Sequence, residues 1–174
     1  EVCQFFTDLA LPQDLREFIG LCYDSCHQAV EFEAPADSLA RLAGAGIHIA
    51  KVQVSSALKL TEPTADVLRR FDEPRYLHQV VVRNRDGELS RYDDLAEALE
   101  RHEAAAGDEW RCHFHVPIFS SGTDGYGTTR AFLEALLPCL EEGTLLEVET
   151  YTWDVLPPEL RCGTVTESII REIR

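Results

Sequence analysis

Ile19-Gly20-Leu21-Cys22-Tyr23-Asp24-Ser25-Cys26-His27 is an apolar run that ends in an acid, with a histidine three residues beyond it. A short buried strand that delivers Asp24 and His27 to its carboxyl end presents two metal ligands in the manner of α/β proteins. Three later segments, Val52-Gln53-Val54-Ser55, His113-Phe114-His115 and Glu147-Val148-Glu149, also set polar groups on alternate residues of an apolar strand. Four such strands in series predict one common polar site.

The chain has 174 residues, enough for one domain with a sizeable core. Its formal net charge of −15 repels phosphate backbones and argues against nucleic acid as a partner. No stretch approaches the roughly 20 apolar residues of a membrane span. No basic segment followed by an apolar one marks a signal peptide, so a cytoplasmic location is expected. The six cysteines, Cys3, Cys22, Cys26, Cys112, Cys139 and Cys162, form no CxxC pair and are expected as reduced core residues. The chain opens on Glu1 and contains no methionine, and it is read as the carboxyl-terminal part of a longer protein.

Strands and helices alternate along the chain, which predicts a βα-type sheet. Core strands are expected over 19–24, 47–55, 111–119 and 145–151. Helices are expected over 36–45, 64–71, 95–106, 129–141 and 164–170. Segments 78–83 and 88–92 alternate apolar and polar around Asn84-Arg85-Asp86-Gly87, a hairpin signal. Four core strands with their helices make an incomplete layer with open edges, so an amino-terminal half or a second copy is expected to complete it.

Asp24 and His27 at this spacing can chelate one ion or bridge two. The same pair also fits an aspartate capping the next turn beside a histidine bonded to backbone. His113 and His115 share one face of a strand, a stronger metal signal than a single histidine, although paired histidines at a core edge need no metal. Glu147 and Glu149 share a face of the last strand. A carboxylate in that position is costly unless paired or metal-bound, and Glu149 lies nearer the strand's carboxyl end. Lys51 either holds an anionic substrate or pairs with Glu147, and the ion pair is favoured. The loop carrying Asp72, followed by His78, either lines a substrate cleft or is a plain surface connection. His102 is expected to be solvated on a charged helix. The glycine-rich Ser120–Thr129 loop offers amides for an anion, a weak signal alone.

Taken together, CYDSCHQAVEFE (Cys22–Glu33), IAKVQVSSAL (Ile49–Leu58), FDEPRYLHQV (Phe71–Val80), HFHVPIF (His113–Phe119) and LEVETYTWDVLP (Leu146–Pro157) resemble the EboE family of metabolite traffic proteins. The resemblance implies an α/β fold of the xylose isomerase-like superfamily. On that expectation the chain is one domain, the carboxyl-terminal half of a TIM (β/α)8 barrel, with about four βα units and a hairpin insertion. It also implies a divalent metal (Zn, Mn or Fe), held by a Glu, an Asp-x-x-His, a His and a final Glu. Asp24 and His27 match the Asp-x-x-His, Glu149 matches the final Glu, and His113 and His115 sit where endonuclease IV-like members carry a further ligand pair. Gln53 stands where a histidine is expected, and an amide is a poor zinc ligand. The remaining Glu would lie upstream of Glu1.

The function so implied is a metal-dependent isomerase or epimerase acting on a small metabolite in a trafficking pathway, alongside pathway partner proteins. Asp24, His27, His113, His115 and Glu149 would hold metal, while Glu149, Glu147 and Lys51 would serve the chemistry. Gln53, Asp72, His78 and Trp153 would contact the metabolite. A non-catalytic binding or handover protein is the alternative, which Gln53 favours. A metal-dependent nuclease comes third, opposed by the charge.

Overall fold

The computed structural model describes residues 1–10, 12, 15–61, 64–103, 105–123, 125–149, 151–161 and 163–174. Apolar runs at Leu21–Asp24 (β1), Ile49–Val54 (β2) and Leu145–Val148 (β9) form a parallel sheet in the order β1-β2-β9. Parallel neighbours need a long crossover, which α2 (Ser25–Val30) and α3 (Pro35–Gly44) supply between β1 and β2. Pro35 opens α3, where its fixed φ suits the first turn and its missing N–H is not needed. One face of the sheet packs Tyr23, Val52 and Val54 on Leu42 of α3 and on Phe132, Leu133 and Leu136 of α6 (Arg130–Leu136). The other face is polar. Asp24 stands opposite Gln53 and Gln53 opposite Glu147.

Only Ser55 separates β2 from β3 (Ser56–Leu60). One residue is far too short for a parallel crossover, so β3 turns into a second sheet, which is antiparallel. Its order is β5-β4-β6-β3-β8-β7. The remaining members are β4 (Val80–Arg83), β5 (Leu89–Tyr92), β6 (Glu109–Val116), β7 (Gly122–Thr123) and β8 (Tyr126–Thr128). The β4–β5 turn is closed by Asn84, whose Oδ1 accepts from the amides of Asp86 and Glu88 at 3.0 and 2.9 Å. Gly87 there takes φ 86°, which costs a residue without Cβ nothing. Leu58, Phe71, Trp110, Phe114 and Leu156 fill this sheet's core, with Leu95 and Ala98 of α5 (Leu95–Arg101).

The junction between the sheets is pinned from below. Ser25 Oγ, fully buried, lies 2.9 Å from the Gln53 carbonyl and 2.8 Å from that of Ser55, and it accepts from the Ser55 amide at 2.9 Å.

This architecture corrects the expectation of half a TIM barrel. Among the described residues no barrel closes, and the strand carrying His113 and His115 runs antiparallel in the second sheet. Three parallel strands remain of the four expected. The supposed loop over Ser120–Thr128 contains β7 and β8. Among the described cysteines all are free, but only Cys26 and Cys112 are buried, while Cys22 and Cys139 are exposed. Cys162 lies outside the described residues. Among the described residues no helix is long and apolar enough to cross a membrane.

Candidate metal centre

Asp24 ends β1 and caps α2. Its Oδ1 accepts from the amides of Cys26 (2.8 Å) and His27 (3.3 Å) and from Ser55 Oγ (3.2 Å). Its Oδ2 lies 2.6 Å from His27 Nδ1. The capping role and the pairing with His27 therefore coexist, and the histidine is oriented by carboxylate rather than by backbone. His27 remains 50% exposed.

The second pair depends on a bulge. Ala57 pairs with His115 but its neighbour Leu58 pairs with Cys112, so His113 and Phe114 are extra residues in β6. Such bulges bend a strand and re-aim its side chains. Phe114 turns into the core, edge-on to Phe71 at 5.1 Å. His113 and His115 come together with Nε2 atoms 3.1 Å apart. His78 braces the bulge from behind, its Nδ1 3.2 Å from the His113 carbonyl and its Nε2 3.0 Å from Glu73 Oε1.

The two pairs then meet. The His27 and His113 rings lie against each other, tilted by 31°, with centroids 3.9 Å apart. His115 Nδ1 lies 3.6 Å from Glu149 Oε2, just past the end of β9, and Tyr151 stands edge-on to His115 at 4.7 Å. Three overlapping donor sets result: Asp24, His27 and His113; Asp24, His115 and Glu149; Cys26, His113 and His115. Within each, the ligand atoms lie inside 4.8 Å of one another.

The protonation states suit a cation. Burial, reinforced by the neighbouring histidines, pushes His113 down to about 3. Burial likewise brings His115 down to about 4, despite Asp24. Both rings are thus neutral at pH 7 and offer lone pairs. Burial alone would raise Asp24, but the hydrogen bond and charge of His27, with His115, hold it at about 2. The Asp24 bond raises His27, and burial beside Asp24 raises Glu149. Imidazole nitrogens with carboxylate oxygens fit Zn, Mn or Fe, whereas Ca and Mg favour all-oxygen shells. Among the described residues, buried His115 Nδ1 and Glu149 Oε2 have no hydrogen-bond partner, and 3.6 Å is too long for them to serve each other. The residues fit a divalent ion.

Other candidates lie elsewhere. Lys51 Nζ and Glu147 Oε2 pair at 2.7 Å on the open face, which ties up both charges. Gln53 accepts from Cys22 Sγ at 3.4 Å. Asp72 is exposed on its loop. His78 is 1% exposed behind β6, a brace and not a metabolite contact, because the bulge carbonyl and Glu73 occupy its ring. Trp153 borders a crevice with His115, Glu149 and Glu172 but packs on the apolar core. His102 is not solvated. It sits between the Tyr92 hydroxyl at 2.9 Å and Asp108 at 3.1 Å. Reading the sequence missed Cys26 and Tyr151 as members of the cluster. Each lies two residues beyond a candidate ligand, Asp24 and Glu149, and that spacing was the available signal.

Comparison with family models, curated proteins and solved structures finds no match to this chain.

Proposed function

We propose that the chain holds a divalent transition-metal ion where its two sheets meet and uses it on a small polar metabolite, as an isomerase- or epimerase-like enzyme. The observation that carries this is the orphaned pair, His115 Nδ1 and Glu149 Oε2, buried 3.6 Å apart. Leaving such groups unpaired costs about 1–3 kcal/mol each, and His115 and Glu149 would both be satisfied by holding a cation.

A bound ion supplies Lewis-acid polarisation of a carbonyl or hydroxyl. The chain's residues do the rest. Asp24 fixes the His27 ring, which solvent and ligand can reach from its exposed side. Glu149, whose carboxyl burial makes easier to protonate, takes and returns a proton. Tyr151, edge-on to both His115 and Tyr76, keeps bulk water off the buried rings. The motifs shared with the EboE family add the setting, a pathway that moves small metabolites. A non-catalytic handover protein is the second reading, favoured by Gln53, which gives β2 no ligand. A nuclease fits poorly with a net charge of −15.

Elemental analysis of purified protein tests the proposal, which requires about one or more tightly held Zn, Mn or Fe ions per chain. Asp24→Ala with His27→Ala should abolish uptake and leave the circular dichroism nearly unchanged. Metal-free protein that still binds a metabolite would select the handover reading.

A further inference from the structure

We infer that Cys26 is a sulfur ligand of this centre, so that the site takes a thiophilic ion, zinc or iron(II), in preference to manganese. The inference rests on the metal reading above and narrows its ion. Cys26 is 0% exposed and follows Asp24 by two residues, so the turn that Asp24 caps aims acid, thiol and imidazole from one origin. Its sulfur and the ligand nitrogens of His113 and His115 lie within 4.8 Å of one another. It is also clustered with the apolar Val30, Ala57 and Val81.

A buried cysteine is ordinarily a small apolar filler. Cys112 is one, equally buried but set among Leu58, Trp110 and Phe114 and in no donor set. Cys26 differs because it faces His115, which is 2% exposed and carries an orphaned Nδ1. When sulfur binds the ion, the thiol proton leaves to solvent. A thiolate beside two imidazoles favours borderline and soft ions, while manganese prefers oxygen.

Cobalt(II) added alone to the metal-stripped full chain tests this. A sulfur-to-cobalt charge-transfer band should appear in the near ultraviolet, persist in Cys22→Ser and Cys112→Ser, and vanish in Cys26→Ser. The zinc-over-manganese preference should fall about tenfold or more in Cys26→Ser. Cobalt bound without the band, or a band that survives Cys26→Ser, overturns the inference and leaves the metal reading standing. No cobalt uptake overturns both. A wild-type spectrum without the band overturns the inference even if Cys26→Ser does not fold.

Discussion

Glu109 and Arg111 at one end of β6, and His113 and His115 at the other, project from the same side of one strand, yet they meet burial differently. At the first end every charge is answered. Glu109 accepts from Arg83 at 3.0 Å and from Arg111 at 2.7 Å, with Lys59 at 3.6 Å. Arg111 also donates to the Ala29 carbonyl and stacks 3.9 Å over the Phe32 ring, which takes Arg83 on it at 4.4 Å. Phe32 accepts a left-handed φ of 59° to sit there. At the second end two neutral rings stand edge-on with their Nε2 atoms 3.1 Å apart, and a nitrogen and a carboxylate oxygen nearby go unanswered among the described residues. The Glu109 cluster closes its own hydrogen bonds, whereas the His115 cluster leaves a ring nitrogen and a carboxylate oxygen side by side and open.

The largest effect should fall at the closed end. Arg111→Met removes one of the three cations around the part-buried Glu109, the donor to the Ala29 carbonyl and the stack on Phe32, and should cost about 3 kcal/mol in urea unfolding. A smaller loss there than from altering the histidines would invert the comparison. Next is the brace behind the bulge. His78→Leu touches no donor yet should weaken zinc binding about 10–100-fold in a calorimetric titration, because partners behind ligands set their aim. Unchanged affinity would show that the bulge holds without it.

Acid should separate the two ends by pH. Folded His113 and His115 stay neutral down to about 3 and about 4, whereas unfolded histidine takes a proton near 6.5. The unfolded state therefore binds more protons in that window, and stability falls as pH drops through it, by on the order of 1 kcal/mol per pH unit. Burial alone would raise Glu109, but Arg111, Lys59 and Arg83 hold it below the usual carboxylate range. Its contribution is intact above the unfolded carboxylate pKa and is lost only at lower pH. Acid unfolding should thus begin in the histidine window and continue in the carboxylate one. His113→Gln with His115→Gln should remove the first stage alone.

The grouping of Asp24, His27, His113, His115 and Glu149 was legible in the sequence, because alternation names the side of a strand and a strand end names the height. Strand direction was not. Alternation at His113-Phe114-His115 is the same in parallel and antiparallel sheets, and the single residue between Val54 and Ser56 carried the deciding information. The bulge was invisible too. It belongs to the register between β3 and β6, and no local pattern encodes that.

The smallest expected stability change gives the most direct test. His115→Leu removes a buried ring whose Nδ1 has no partner among the described residues and should raise stability without metal by about 1 kcal/mol. Zinc should then reverse the order. At 100 times its dissociation constant it should stabilise the wild type by about 2.7 kcal/mol and leave His115→Leu unmoved in the same thermal unfolding experiment. Equal zinc shifts in both proteins, or none in the wild type, would contradict the claim that the open end of β6 is kept open for an ion.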